Sequence, residues 1–255
     1  MDRLIVGAGA HVWSREQMRE EMLLVLDQSN PSIFFERLHV LGVLAEWIPE
    51  LDCLFGVPQP IKHHPEVDTG VHTMMVVDIA QARFDHPIVT WAALLHDLGK
   101  GLTPKDEWPS HRLHEIRGVK PIKAVGERLD IPQEYTELAA LVSEHHLRCH
   151  KLLEMRPRSV MRLLEALDAI DNIDRLRLFA QVCEADACGR LGFEKRYYPQ
   201  SQLLVECAEA ARGVDTYALQ QETKEVRNLP EKIRRFRISA IRQVMAEYRK
   251  TSRAA

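Results

Sequence analysis

The chain has 255 residues, 45% of them hydrophobic and 28% charged, which is the composition of a globular protein with room for one large core or two smaller ones. A net charge of −3 excludes a globally basic nucleic-acid binder, so any such contact has to be local. No stretch approaches the ~20 apolar residues that cross a bilayer, and MDRLIVGAGAHVW lacks the apolar core and cleavage site of a signal peptide.

Helix signals dominate along the chain and alternating strand patterns are almost absent, which predicts an all-α fold of roughly ten helices. Residues 1–13 are an unassigned leader. Its stretch LIVGAGAHV resembles a dinucleotide loop only superficially, because Val12 occupies the third glycine position and no βαβ unit follows. Ser14 and Gln17 form a capping box for a helix to about Asp27, and Asn30-Pro31 is an N-cap followed by a first-turn proline, opening a helix to about Leu44. Pro87, Pro132, Pro157 and Pro230 repeat that device, while Gly99 and Gly189 close helices as C-caps. Two loops, 55–70 and 99–111, are long enough to suggest function. The five cysteines (Cys53, Cys149, Cys183, Cys188, Cys207) are scattered with no C-x-x-C pair, which predicts free thiols in a reducing cytoplasm.

The histidines carry the functional signal, since ten of the twelve fall between His63 and His150. TGVHTMMVVDIA places His72 in the first turns of a helix, with Val76 and Ile79 facing inward beside it. TWAALLHDLGKGL places His96 and Asp97 in the last turn of an apolar helix, where the macrodipole opposes a carboxylate. HRLHEIRG sets His111 and His114 at helical spacing, and ALVSEHHLRCH carries His145, His146 and His150. FAQVCEADACGR repeats the misplaced carboxylate with Asp186. A divalent cation resolves both misplacements, because its charge outweighs a dipole penalty of ~0.3–1 kcal/mol. Mixed nitrogen and oxygen donors without cysteine point to Mn²⁺, Ni²⁺, Co²⁺, Fe²⁺ or Mg²⁺ rather than structural zinc. His111, His145 and His150 are expected at the surface.

The order His72, then His96-Asp97, then Asp186 resembles the signature of the HD superfamily of metal-dependent phosphohydrolases. LFGVPQPIKHHPEVDTGVHT, HDLGKGLTPKDEWPSH and EADACGRLGFEKRYYPQ look more closely like the C-terminal, HD-bearing half of bacterial multifunctional CCA-adding tRNA nucleotidyltransferases, over about Ser14 to Lys250. The resemblance implies an HD helical bundle with 2′,3′-cyclic phosphodiesterase, 2′-nucleotidase and phosphatase activity that tidies tRNA 3′ ends. By position His72, His96, Asp97 and Asp186 match the HD metal ligands, and His114 and His146 match further ligand or phosphate-contact positions. Lys100 and Arg190 are placed to bind the phosphate, so Asp97, Lys100 and Arg190 form the expected catalytic set. The implied domains are a neck-like helical segment at 14–55, the HD domain at 56–200 and a C-terminal helical segment at 201–255.

Motifs for nucleotidyl transfer (a Gly-Gly turn, an Arg-Asp pair, an Asp-x-Asp) are absent, so that activity is not expected from this chain. A nucleotidyltransferase half in the parent gene, a tRNA 3′ end or nucleotide phosphoester as substrate, and no membrane are the implied partners. The tail LPEKIRRFRISAIRQVMAEYRKTSR has eight basic and two acidic residues, with Ile233, Phe236, Ile241, Val244 and Tyr248 forming an apolar stripe below a basic face. Two other readings stay open: a tRNA-binding module with a vestigial HD site, and a nucleotidase acting on free nucleotides.

Overall fold

The structure is a computed structural model that describes residues 13–222 and 226–254. Within them lie fourteen α-helices and four 3₁₀ turns, and the one strand-like pairing is an isolated bridge between Pro58 and Asp68. The fold is all-α. The helices outnumber the expectation because several are pieces of four or five residues. The LIVGAGAHV stretch lies outside the described residues.

Helix α1 (Arg15–Val25) starts in the expected capping box: Gln17 N–H donates to Ser14 Oγ at 3.1 Å, and Ser14 N–H donates to Gln17 Oε1 at 2.9 Å. The following segment is broken earlier than its pattern predicts. Helix α2 (Ser32–Val40) ends before Gly42, whose φ of 73° turns the chain into α3 (Val43–Trp47) and α4 (Pro49–Asp52). Asn30 is not the cap. It sits at φ 55°, and Asp78 accepts from Ser32 N–H at 3.0 Å and Ser32 Oγ at 2.7 Å. The acceptor for that first turn comes from another helix, so no local window reveals it.

Helix α5 (Thr69–Phe84) packs against α6 (Pro87–Leu95), and α6 is buried from Val89 to Leu95. His96 is the C-cap of α6, and Asp97 (φ −108°, ψ 13°) lies beyond it, ahead of a 3₁₀ turn at Leu98–Leu102. Asp97 therefore does not oppose the dipole from inside the last turn, as its sequence position suggested. Lys100 lies within that 3₁₀ turn. Next come α7 (His114–Arg117), α8 (Val119–Leu129), α9 (Gln133–His150), α10 (Pro157–Ala166) and α11 (Ile173–Cys188), whose last turn does hold Asp186. The chain closes with α12 (Pro199–Arg212), α13 (Thr216–Glu222) and α14 (Leu229–Ala254).

These residues divide into two compact units: one runs to His146 and includes Ala185–Arg196, the other holds Leu147–Glu184 and Tyr197 onward. In the second, the row of α14 that is buried is Ile238, Ile241 and Met245, while Phe236 is 42% exposed. The expected stripe was thus drawn around part of the wrong face, since Phe236 and Ile241 are five residues, or ~140° of helix, apart. None of the five cysteines forms a disulfide. Among the described residues no helix is long and apolar enough to cross a membrane.

Gly99 and Gly189 do not adopt the left-handed cap conformation. Each is instead a point of close backbone approach in the first unit. A Cβ on Gly99 would lie 1.9 Å from the carbonyl oxygen of His114, and one on Gly189 would lie 2.6 Å from the Cα of Val76. The second approach brings the end of α11, and with it Asp186, against α5, and with it His72. Gly189→Ala is expected to destabilise the protein by about 1–3 kcal/mol through this overpacking, read as a fall in the thermal unfolding midpoint; an unchanged midpoint would refute the close-approach role.

Candidate metal centre

Five helices deliver the six expected ligands to one buried point of the first unit. His72 lies one turn into α5, whose N-cap Asp68 accepts from Val71 N–H at 2.9 Å. His96 and Asp97 follow α6, His114 opens α7, His146 lies on α9 and Asp186 on α11. The donor atoms of His72, His96 and Asp186 all lie within 4.8 Å of one another, and so do those of Asp97, His114 and His146. Adjacent residues His96 and Asp97 thus feed two neighbouring trios. Asp97 faces both: its Oδ2 is 3.1 Å from His96 Nε2, while its Oδ1 is 3.4 Å from His114 Nε2 and 3.9 Å from His146 Nε2. On the other side Asp186 Oδ1 lies 3.2 Å from His72 Nε2 and 4.0 Å from His96 Nε2.

Ring orientation is set from behind. His96 Nδ1 donates to Ala93 O at 2.7 Å, His114 Nδ1 to His111 O at 2.8 Å, and His146 Nδ1 to Val142 O at 2.9 Å. A carbonyl can only accept, so each of these nitrogens carries the proton, and in the neutral ring Nε2 presents its lone pair inward. Both ring nitrogens of His72, together with His96 Nε2, His114 Nε2 and Asp97 Oδ1, are buried without an aligned hydrogen bond. Leaving such groups unsatisfied costs about 1–3 kcal/mol each. Lone pairs and carboxylate oxygens converging without protons between them are what a divalent cation requires, so this donor set fits one.

The protonation states agree. Burial pushes the Asp97 carboxyl up, but His96 and Lys100 outweigh it and hold the group well below the usual range. Burial pushes His146 down to about 3 and also lowers His114, against the pull of Asp97 on both, which leaves two neutral imidazoles able to ligate. His96 goes the other way: burial opposes its charge, but Asp97 and Asp186 outweigh it and raise the group, so on this ring a cation would have to displace a proton from Nε2.

Lys100 and Arg190 are neither surface cations nor free to swing. Lys100 is 7% exposed, and its Nζ donates to Asp97 Oδ2 at 2.6 Å and to Gln59 Oε1. Arg190 donates from Nη2 to Asp186 Oδ1 at 3.1 Å and from Nη1 to His63 O at 3.4 Å, and its charge is favoured by Asp186 against the cost of burial. Each cation therefore grips one of the two carboxylates of the centre.

Other histidines differ from expectation. His111 is buried, at φ 46° ahead of α7 rather than on it, with Nε2 donating to Pro58 O at 2.8 Å and Nδ1 2.6 Å from Thr103 Oγ1. It clasps the loop before α5 to the loop after α6. The latter loop is also held by a two-pronged Arg117–Glu107 pair at 3.0 and 3.1 Å. His145 is buried too, and His150, in the second unit, is half-buried with Nδ1 2.8 Å from Tyr198 Oη. Sequence reasoning missed Gln59, His64 and Glu66, which reach the centre from the proline-rich loop; their only signal was that loop's length and its histidines.

Comparison with known proteins matches residues 69–176 to the HD domain. The chain is 45% identical over 233 residues to the multifunctional CCA protein of Pseudomonas aeruginosa strain PAO1, covering 91% of this chain and 57% of that protein. It is 44% identical over 228 residues to the protein of the same name from Pseudomonas syringae pv. syringae, covering 89% and 56%. The Actinobacillus pleuropneumoniae serotype 5b protein is 45% identical over 217 residues, covering 84% and 53%. The chain thus spans a little over half the length of these relatives.

Binding of Mn²⁺, Co²⁺ or Ni²⁺ is expected to stabilise the folded protein by about 2.7 kcal/mol at a hundredfold excess over Kd. Asp97→Ala, which removes the one carboxylate of the Asp97/His114/His146 trio and the oxygen that lies 3.1 Å from His96 Nε2 of the other, should abolish the metal-dependent part of the thermal shift. An equal shift in that variant would place the cation elsewhere.

Proposed function

We propose, from the premise that residues 69–176 are an HD domain in a chain homologous over most of its length to part of multifunctional CCA proteins, that this protein is a divalent-metal phosphohydrolase. Its substrates on this reading are 2′,3′-cyclic phosphodiester and 2′-phosphate groups at RNA ends, tRNA 3′ ends above all, or on nucleotides. It acts as 2′,3′-cyclic phosphodiesterase, 2′-nucleotidase and phosphatase, in company with a nucleotidyltransferase half. The observation that carries the reading is the pair of buried trios, His72/His96/Asp186 and Asp97/His114/His146, with imidazole lone pairs directed inward. The gathering of all six residues in two buried trios supports this reading over a vestigial site.

His72, His96, Asp97, Asp186, His114 and His146 would hold Ni²⁺, Mn²⁺, Co²⁺ or Mg²⁺. Such an ion supplies Lewis-acid stabilisation of charge on phosphate oxygens and acidifies water. Asp97 and Asp186 would hold such an ion with the carboxylates that now pair with Lys100 and Arg190, which would free both cations for the phosphate. Lys100 Nζ presents a point charge to a phosphate oxygen, and the Arg190 guanidinium can take two oxygens at once. The buried walls keep bulk water away and strengthen each of these interactions.

Hydrolysis of a 2′,3′-cyclic nucleotide with each metal tests this reading directly. Activity is expected in the wild type and should fall to the metal-free background in His96→Ala and Asp97→Ala. Equal rates in all three proteins, or no hydrolysis with any metal, would remove the enzymatic assignment.

A polyanionic partner is supported by the second unit, where exposed Arg158, Arg235 and Arg242 surround a shallow cavity of about 550 Å³ together with Phe236. Arg234 is less available, being held by Glu165 at 2.6 Å. Charge reversal at Arg235 and Arg242 should weaken tRNA binding and lower its salt slope by ~0.9 for each phosphate that is no longer neutralised. A gel-shift salt series unchanged by both substitutions would leave free nucleotides as the substrate.

A further inference from the structure

We propose that Glu66 is the positioning residue of the centre: it fixes the proton of His72 on Nδ1 and so turns the Nε2 lone pair toward Asp186 and His96. The inference rests on the reading of His72 as a metal ligand. Three of the four inward histidines donate Nδ1–H to a carbonyl three or four residues earlier in the chain. His72 differs. Of the carbonyls one turn back, Thr69 O already accepts the Thr73 hydroxyl at 2.8 Å. The His72 side chain is 0% exposed, and its Nδ1 has no aligned hydrogen bond to any carbonyl; it lies instead 2.9 Å, by distance alone, from Oε1 of Glu66, a carboxylate whose own side chain is 2% exposed.

Glu66 is itself held in place. His64 Nδ1 lies 3.1 Å from the same oxygen, and Leu191 N–H donates to Oε2 at 3.3 Å. The His64 ring meets the His72 ring edge-on, with centroids 4.6 Å apart. Leu191 follows Arg190, so Glu66 ties the loop before α5 to the segment after α11, the two places from which His72 and Asp186 arrive. A neutral imidazole has one lone pair, and an anion at Nδ1 forces that lone pair to Nε2. A carboxylate also makes the ring a stronger donor than a carbonyl does. The trio that contains His72 therefore has a carboxylate close behind one of its rings, and with it negative charge from a residue outside the trio.

The test uses the full chain labelled with ¹⁵N-histidine, together with calorimetric titration of Mn²⁺ into wild type, Glu66→Gln, Glu66→Ala and His72→Ala. In the wild type the His72 ring is expected in the Nδ1–H form. Glu66→Ala should shift it toward a tautomer mixture and weaken Mn²⁺ binding by roughly 10–100-fold. Glu66→Gln, whose amide oxygen still accepts from Nδ1–H and whose size preserves the packing, should restore the tautomer but only part of the affinity. Unchanged tautomer and affinity in Glu66→Ala would overturn the proposal. So would an additional Mn²⁺ in the wild type that His64→Ala removes, because His64, Glu66 and His72 would then be a cation site in their own right. Tight Mn²⁺ binding retained in His72→Ala would overturn the ligand reading, while the tautomer result would still report on Glu66.

Discussion

Asp97 is an ionised carboxylate with 2% of its side chain exposed, and a charge so deeply buried survives only where other groups replace the water it has lost. Here the replacement is collective. His96, His114 and Lys100 crowd its two oxygens, yet Oδ1 has no aligned hydrogen bond and the Nε2 atoms facing it have none either. Protein groups alone do not satisfy this arrangement, and a cation on either side of Asp97 would. The rest of the first unit can be understood as the scaffold that keeps these groups converged against their own desolvation.

That scaffold relies on rigid helices with side chains braced from behind. Hydrogen bonds from Nδ1 to backbone carbonyls cost no additional residue, since each carbonyl lies about one turn upstream. They also select the tautomer, so ligand direction is built into local backbone geometry. Close approach at Gly99 and Gly189 then lets the segments stack without intervening side chains. His111 fastens one long loop to the other, and the Arg117–Glu107 pair ties the second to α7.

Two cations placed on two carboxylates give the centre a further property. Lys100 balances Asp97 and Arg190 balances Asp186, so the charge of the donor set is nearly neutralised before any ion or substrate arrives. On the proposed reading, a divalent ion and a phosphate would bring opposite charges to these same four side chains.

The six donor residues were named from the resemblance to HD proteins; helix class and most helix starts were legible from the chain, because capping boxes, prolines and helical periodicity act over a few residues. The pairing of His96 with Asp97 was legible for the same reason, as was the anomaly of Asp186 at a helix end. Tertiary structure decided what those donors do together. It split six residues into two trios sharing a dipeptide, set Asp97 outside its helix, and supplied Asp78 as a cap from a distant segment. It turned His111 from a presumed surface residue into a clasp and brought Glu66 behind His72. Spacing along a chain encodes which side of its own helix a residue occupies, but the partner it meets there depends on how separate helices and loops pack, and that is a property of the whole fold.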